Sequence, residues 1–122
     1  SSVGVPGKNY YGRGYIQLTH SYNYRAASQD LYGDDRLIRN PDLVADDERV
    51  AWATAFWYWR TRVRNQPNVL RFWFGATTNA INGGLECRGP NQHIARKRFE
   101  MYKRVLRACN IHATPIERGC YN

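Results

Sequence analysis

The sequence predicts a mainly helical domain with very little sheet. Residues 46–63 (DDERVAWATAFWYWRTRV) are largely apolar and begin with acidic residues, as a buried helix does. A second segment, from about Pro90 or Asn91 to Cys109, repeats apolar residues every three or four positions. Only residues 14–19 have the composition of a short strand. At 122 residues, the chain is expected to form one domain with a single core.

The first third of the chain predicts an extended lead-in, a short β element and one helix. Residues 1–9 are small and contain Gly and Pro, which favours an extended lead-in. The strand over 14–19 is followed by Thr19 or Ser21, either of which could cap a helix that runs to about Leu31. Within residues 32–44, the pairs Gly33-Asp34 and Asn40-Pro41 predict turns.

The central helix is predicted to begin at Asp46 or Asp47 and to be buried on almost every face from Val50 to Trp59. Its three tryptophans are interpreted as core packing rather than as a ligand platform. Beyond it, Pro67 breaks the chain and Gly83-Gly84 predicts a tight bend. The tryptophans are Trp52, Trp57 and Trp59.

The last long helix carries an arginine on its apolar stripe, which is expected to face inward. The stripe consists of Ile94, Arg98, Met101, Val105 and Cys109. A buried guanidinium needs a partner, and Glu86, just after the predicted bend, is the best candidate. The alternative is that Arg98 packs its stem and extends its charged head to water. If the pair is shielded, replacing Arg98 by Met should be milder than replacing Glu86 by Gln.

Composition narrows the class of partner. The net charge of +8 would suit nucleic acid, anionic lipid or an anionic cell wall, but no nucleic-acid-binding motif accompanies it. No apolar run is long enough for a membrane span. Cys87, Cys109 and Cys120 lack metal-ligand spacing, so we expect neither a metal site nor a cofactor. They allow either one disulfide in a secreted chain or three thiols in a cytosolic one.

Residues 10–24 (YYGRGYIQLTHSYNY) combine tyrosines, glycines and neutral hydrogen-bonding side chains. Gly12 and Gly14 suggest backbone that bends or is closely approached. Neutral polar groups beside aromatic rings suit a neutral ligand with apolar faces and many hydroxyls or amides, such as a sugar. The other interpretation is that the tyrosines pack in the core and the amides satisfy loop backbone.

These residues resemble glycoside hydrolase family 19, the plant-type chitinases. The segment YYGRGYIQLTHSYNY is similar to the family's YYGRGPIQLTHNYNYG, and NPDLVADD, ATAFWYW, TNAINGGLEC, ARKRFEMYKR and GCYN resemble further family motifs in the same order. The resemblance extends from about Gly7 to Asn122. It implies a truncated form of the family's lysozyme-like fold, with a short β element near the N-terminus.

The resemblance also implies roles for individual residues. Thr19 matches a residue that helps to hold the attacking water, and Glu86 and Arg98 match a pair networked with the catalytic acid. Cys87 and Cys120 match a family disulfide, which leaves Cys109 as a free thiol. The residues implied to contact sugar are Tyr10, Gln17, Thr19, Tyr22, Asn23 and Asn82.

The departures from the family pattern concern catalysis. The family's two catalytic glutamates precede YYGRG, and this chain begins near that point. None of the chain's four glutamates matches either catalytic glutamate of the family, so no catalytic residue is assigned. The four are Glu48, Glu86, Glu100 and Glu117. Tyr15 also replaces the usual proline.

The sequence is compatible with three functions. The first is a secreted, defence-related protein that binds chitin or N-acetylglucosamine oligomers without hydrolysing them, aided by attraction to anionic microbial walls. The second is the C-terminal chain or fragment of an active endochitinase, whose acid and base lie in a missing N-terminal half. The third is a scaffold that keeps the fold for packing alone.

Overall fold

The computed structural model describes residues 3–122, so Ser1 and Ser2 of the predicted lead-in lie outside the described residues. Over this range the protein is mainly helical and contains no β-sheet. Its residues group into two compact units, one up to Arg60 and one from Thr61 to Asn122. The helices are α1 Ser21–Tyr32, α2 Arg36–Arg39, α3 Leu43–Asp46, α4 Glu48–Tyr58, α5 Phe74–Glu86 and α6 Gln92–Ala108.

The first unit is built from α1 to α4. Helix α1 packs against α2 and α4, and α3 packs against α4. Leu18, Tyr24, Leu37, Val44 and Trp57 are almost completely buried between them. The segment before α1 is therefore anchored in the core through Leu18.

Helix α4 begins where the acidic residues predict. Asp47 is its N-cap, and its carboxylate accepts hydrogen bonds from the backbone N–H groups of Arg49 and Val50. After Tyr58 the chain continues into a π-helical turn, Trp59–Val63.

The prediction that α4 is buried all round is wrong. Trp57 is 1% exposed, and its indole Nε1 donates to Asp30 Oδ2 at 2.8 Å. Trp52, Phe56 and Trp59 are 47%, 64% and 41% exposed. These three positions are spaced by four and three residues, so they share one helix face. The ring of Tyr15 stacks on Trp52 at 4.1 Å between centroids, and the face remains partly open.

The predicted strand over residues 14–19 is also wrong. A single antiparallel bridge joins Arg13 to Leu18, and residues 14–17 form the turn between them. Gly14 and Gln17 both have positive φ, which an extended strand does not allow. The helix that follows is confirmed as α1, but no side chain caps it: the preceding residue is His20.

The second unit packs α5 against α6. Phe74 of α5 stacks on Tyr102 of α6 at 4.4 Å between ring centroids and lies 5.9 Å from Phe99. The C-terminal segment also lies against α5: Phe74 N donates to Ile116 O at 2.8 Å.

The disulfide between Cys87 and Cys120 fixes this C-terminal segment to the end of α5, and Cys109 is an exposed free thiol.

The glycines at 83–84 do not make the predicted tight bend. Helix α5 continues to Glu86 with a local kink at Asn82, where φ is −152° and ψ is 42°. Gly83 is buried, and a side chain there would collide with Asn79 and Arg88. The glycine therefore leaves room for the ends of the Asn79 and Arg88 side chains rather than reversing the chain.

The long C-terminal helix is confirmed as α6, but the predicted inward stripe is wrong. Met101 and Val105 are 55% and 47% exposed. The buried stripe is displaced by about one residue along the sequence, because the large Phe99 ring packs against α5. The buried residues are Ala95, Phe99 and Leu106.

Candidate functional site

The predicted site residues form one group in the first unit and another in the second. In the first unit they surround the turn between Arg13 and Leu18. The turn is closed by backbone hydrogen bonds between Arg13 and Leu18 and by Gln17 N donating to Gly14 O at 3.2 Å. Gln17 and His20 have φ of 58° and 74°, which side-chain-bearing residues rarely adopt. Such strained backbone is often associated with functional sites.

Gly12 brings the Gln17 and Thr19 side chains together. A Cβ at Gly12 would lie 2.7 Å from Gln17 Oε1 and 3.3 Å from Thr19 Oγ1. Gln17 Nε2 donates to Gly14 O at 2.9 Å, and Thr19 Oγ1 donates to Gln17 O at 2.7 Å. Within residues 3–122, Gln17 Oε1 accepts no hydrogen bond. An amide oxygen and a hydroxyl oxygen therefore border the same glycine surface and can accept hydrogen bonds from a ligand.

Asn23 lies next to this pair. Its Nδ2 donates to Thr19 O at 3.0 Å, which connects the first turn of α1 to the loop. Gln17, Thr19 and Asn23 are thus brought together, with Gln17 exposed and the other two half-buried.

The two candidate tyrosines have different surroundings. Tyr22 is 57% exposed and stacks on His20 at 5.2 Å between ring centroids. Tyr10 is half-buried: its hydroxyl donates to Ile38 O at 2.7 Å and accepts from Val5 N at 2.9 Å. Tyr22 is therefore open to a ligand, whereas the hydroxyl of Tyr10 is used to hold the fold.

Sequence reasoning did not identify Arg13 as part of this site. The side chain is only 5% exposed, and its Nη1 donates to Asn9 O at 2.8 Å and to the Tyr24 hydroxyl at 2.9 Å. Nη2 lies 3.1 Å from Asp42 Oδ1, and the guanidinium stacks on Tyr11 at 3.8 Å. The sequence did contain a signal for this role of Arg13: the arginine is flanked by two glycines and preceded by two tyrosines, and aromatic faces bind guanidinium groups.

In the second unit, three predicted residues form one hydrogen-bonded cluster. Arg98 Nε lies 2.6 Å from Glu86 Oε1, and Arg98 Nη2 lies 3.1 Å from Oε2. Asn82 Nδ2 donates to Glu86 Oε2 at 2.8 Å. Glu86 is 2% exposed, whereas Arg98 is 46% exposed. The carboxylate is therefore shielded, and the arginine reaches it from the surface.

This cluster determines the ionisation of Glu86. Burial opposes the charged form, but the hydrogen bonds from Arg98 and Asn82 outweigh it, so the pKa of Glu86 is lowered from 4.5. Glu86 is thus a carboxylate at neutral pH. Asn82 Oδ1 accepts no hydrogen bond from any residue that the structure describes, so this oxygen can serve a ligand.

The other carboxylates near the candidate residues also have structural partners. Glu48 accepts a hydrogen bond from the Tyr15 hydroxyl, and Asp47 caps α4. Over residues 3–122, no group of His, Cys, Asp and Glu side chains is placed to hold a metal ion. The same residues include no helix that is long and apolar enough to cross a membrane.

Residues 3–118 match the family described as chitinase class I. Among characterised relatives, the acidic endochitinase SP2 of Beta vulgaris is 46% identical over 98 residues, which is 80% of this chain but 32% of that protein. Chitinase 5 of Oryza sativa is 43% identical over 84% of this chain and 34% of its own length. This chain spans well under half the length of both.

Solved family structures likewise match most of this chain, whereas this chain matches only part of each of them. The class IV chitinase of Zea mays superposes with a TM-score of 0.78 at 35% identity, covering 92% of this chain and 53% of that one. Chitinase C of Streptomyces griseus superposes with a TM-score of 0.80 at 35% identity, covering 98% of this chain and 59% of that one. The helices described above therefore have the family's lysozyme-like arrangement in truncated form.

Proposed function

The chain belongs to the class I chitinase family, glycoside hydrolase family 19, and from that premise we propose that it binds chitin-type oligomers of N-acetylglucosamine without cleaving them by itself. The observation that carries the proposal is the grouping of Gln17 Oε1 and Thr19 Oγ1 around Gly12. The two oxygens can accept hydrogen bonds from sugar hydroxyls and amides, and the missing side chain at Gly12 lets both lie close to the backbone.

Further candidate residues within each unit suit the same kind of ligand. Tyr22 offers an exposed ring for the apolar face of a sugar, and Asn23 lies beside Thr19. In the second unit, Asn82 Oδ1 remains available as an acceptor while Asn82 Nδ2 is held by Glu86. Neutral amides and hydroxyls match a neutral polymer better than they match an ion.

Cleavage needs a group that this arrangement does not supply. Inverting glycosidases use a carboxylic acid with a raised pKa and a carboxylate that activates water. The pKa of Glu86 is lowered instead, so it is a poor proton donor at neutral pH. Glu48 and Asp47 are held by Tyr15 and by the first turn of α4.

Titration of the purified chain with chitotetraose tests the proposal, by calorimetry or by chemical-shift changes. We expect weak binding, and no shorter products after long incubation. Asn23→Ala and Asn82→Ala should each weaken binding roughly two- to tenfold, which corresponds to one hydrogen bond of about 0.5–1.5 kcal/mol.

Asn65→Ala is the matched control, because Asn65 is exposed and lies outside both groups. Thermal unfolding of each variant separates loss of sugar contact from loss of the fold. Absence of binding at millimolar sugar would contradict the proposal and favour the scaffold. Turnover that persists after contaminating enzyme is excluded would contradict the non-hydrolytic part.

A second function is favoured because this chain matches only part of each solved family structure. The chain spans 53% and 59% of the two superposed chitinases, so a large part of each has no counterpart here. If that part is present in the native protein, the whole is an inverting endochitinase with its acid and base outside these residues. The intact mass of the native protein, with and without reduction, separates the two functions.

The proposed setting is extracellular and defensive. A disulfide between Cys87 and Cys120 suits an oxidising compartment. The net charge of +8 would draw the protein to anionic microbial walls. Retention on isolated walls should fall as salt rises, because salt screens charge attraction, and retention that is independent of salt would argue against this setting.

A further inference from the structure

The loop that leads into α5 carries the two most exposed large apolar side chains among residues 3–122. They are Phe72, which is 75% exposed, and Leu70, which is 65% exposed. Val69, directly before them, is only 7% exposed. The loop therefore buries one apolar side chain and leaves the next two in water. We call residues 69–73 the Phe72 loop.

Backbone hydrogen bonds hold the Phe72 loop in place. Phe72 N donates to Val69 O at 2.9 Å. Arg71 N and Trp73 N each donate to Asn68 O at 3.2 Å. Phe72 has a φ of 65°, a conformation that is costly for a residue with a bulky side chain. The fold thus holds an exposed aromatic ring on strained backbone, a combination that indicates a role for the ring outside the core.

The charges around the Phe72 loop are positive. Residues 61–85, the part of the second unit that contains the loop, include three arginines and no Asp, Glu or Lys. Two guanidinium groups lie on the half-buried Trp73 ring: Arg118 Cζ is 4.7 Å and Arg71 Cζ is 5.4 Å from its centroid. Glu117, the acidic residue beside Arg118, is already bound to a tyrosine hydroxyl. The loop therefore presents apolar side chains together with cations.

We propose that the Phe72 loop binds the surface of an anionic lipid bilayer. Phe72 and Leu70 insert below the lipid headgroups, where apolar side chains gain by leaving water. The Trp73 ring lies at headgroup level, a position that tryptophan favours. Arg71 and Arg118 lie against lipid phosphates, and each cation near the surface strengthens the attraction to anionic lipid. This binding uses none of the sugar-site residues and goes beyond the proposed function.

The size and charge of the Phe72 loop favour a bilayer over a protein partner. Stable protein interfaces bury about 800 Å² on each partner, which two exposed side chains do not supply. A second copy of the chain would bring two positively charged loops together, and like charges across an interface oppose association. A bilayer requires no matching shape, and it offers an apolar layer beneath a continuous layer of phosphates.

Vesicle sedimentation tests the proposal. The probes are vesicles of phosphatidylcholine alone and of phosphatidylcholine with an equal share of phosphatidylglycerol. We expect binding to the anionic vesicles, and at least about tenfold weaker binding to the neutral ones, because the attraction of the arginines to anionic lipid is lost. Phe72→Ala keeps every charge of the protein and should still weaken binding to the anionic vesicles at least about tenfold. Attraction by net charge alone predicts no change in this variant.

Phe56→Ala is the matched control, since Phe56 is 64% exposed and belongs to α4 in the first unit. It should leave vesicle binding unchanged. Phe72→Asn separates the role of the ring from that of the fold, because asparagine tolerates a positive φ better than phenylalanine does. This variant should unfold at the wild-type temperature or above it, yet lose vesicle binding as Phe72→Ala does. Thermal unfolding without lipid checks that all three variants fold.

Tryptophan fluorescence locates the contact. Lipids with brominated acyl chains quench a tryptophan that lies at the membrane surface. Trp73→Phe should remove most of this quenching, because Trp73 belongs to the Phe72 loop. Trp52→Phe should leave the quenching in place, although Trp52 is 47% exposed on α4.

Four results would overturn the proposal. The first is no binding to the anionic vesicles. The second is equal binding by Phe72→Ala and Phe56→Ala, which would mean that the loop is not the contact. The third is quenching that is lost in Trp52→Phe but kept in Trp73→Phe, which would make α4 the contact. The fourth is self-association without lipid that Phe72→Ala abolishes, which would make a second copy the occupant.

Discussion

At Gly12, the absence of a side chain allows two oxygens that can accept hydrogen bonds, Gln17 Oε1 and Thr19 Oγ1, to lie against the backbone. The sequence motif indicated a close approach at this position. It could not show that Gln17 and Thr19 make the approach, because that depends on the positive φ of Gln17. The interpretation of Gly12 as a close-approach glycine agrees with the structure, whereas the strand assigned to the same residues was wrong.

Gly12→Ala should weaken chitotetraose binding with little loss of stability. The new Cβ would meet the end of the Gln17 side chain, which can rotate away, so the loop can persist while Oε1 is displaced. Gly84→Ala is the control, since nothing lies within 4 Å of a Cβ there. It should leave binding unchanged and add up to about 1 kcal/mol of stability, as Gly→Ala does in an exposed helix. Equal binding by Gly12→Ala and wild type would exclude Gly12 from the site.

The Glu86–Arg98 pair reverses an expectation from the sequence. The apolar stripe predicted a buried arginine, so Arg98→Met was expected to be the milder change. The structure instead buries Glu86 and leaves Arg98 46% exposed. Sequence periodicity identified the partners, but it could not identify which one is shielded, because the buried face of α6 is displaced from the predicted stripe.

Arg98→Met should now cost more stability than Glu86→Gln. Losing Arg98 leaves a buried carboxylate without its main partner, at a cost of about 1–3 kcal/mol or more. Glu86→Gln leaves a cation that already reaches water. Denaturant unfolding at neutral pH measures both, and a greater loss for Glu86→Gln would contradict this assignment.

The pH dependence gives a second measurement on this pair. In wild type the pKa of Glu86 is lowered from 4.5, so its stabilisation is present above the unfolded pKa and is lost as pH falls through the lower folded value. In Arg98→Met, burial without the arginine should raise that pKa. The variant should then be penalised at neutral pH and relieved on acidification. The difference in melting temperature between wild type and Arg98→Met should therefore shrink as pH falls toward 4, and a constant difference would argue against this account.

Among the helices, α1, α4 and α6 were predictable because their signals are local. A run of apolar residues after Asp47, and the repeat from Gln92 to Ala108, mark helices whatever surrounds them. The exposed face of α4 was not predictable. Burial of Trp52, Phe56 and Trp59 depends on what packs against α4, and periodicity carries no information on that.

Asp47→Ala tests whether α4 depends on its cap. The carboxylate accepts from two backbone N–H groups at the start of the helix, so its removal should cost about 1 kcal/mol. Asp46→Ala removes the same charge one residue earlier, at the end of α3, and should cost less. Urea unfolding of the two variants compares the hydrogen bonds with the charge alone. Equal losses would mean that the charge near the helix end, rather than the cap, stabilises α4.

Across the chain, family motifs predicted more than composition did. The order of motifs gave the lysozyme-like fold and the disulfide partners, which no spacing argument could have chosen among three cysteines. Apolar periodicity predicted the helical class, and composition gave the basic charge. Neither could predict that Met101 and Val105 of α6 are exposed, because exposure depends on which residues pack against the helix.

The disulfide offers a final test on the protein as a whole. Cys87 follows α5 directly and Cys120 lies in the C-terminal segment, so the bond closes a loop of about 34 residues that contains α6. In the chain-entropy model such a loop is worth roughly 3–4 kcal/mol. Peptide mapping without reduction should find one cross-link between Cys87 and Cys120, with Cys109 open to alkylation. Reduction should lower the melting temperature of wild type and of Cys109→Ser equally. If Cys109→Ser is insensitive to reduction while wild type is not, Cys109 belongs to the cross-link and the pairing is wrong.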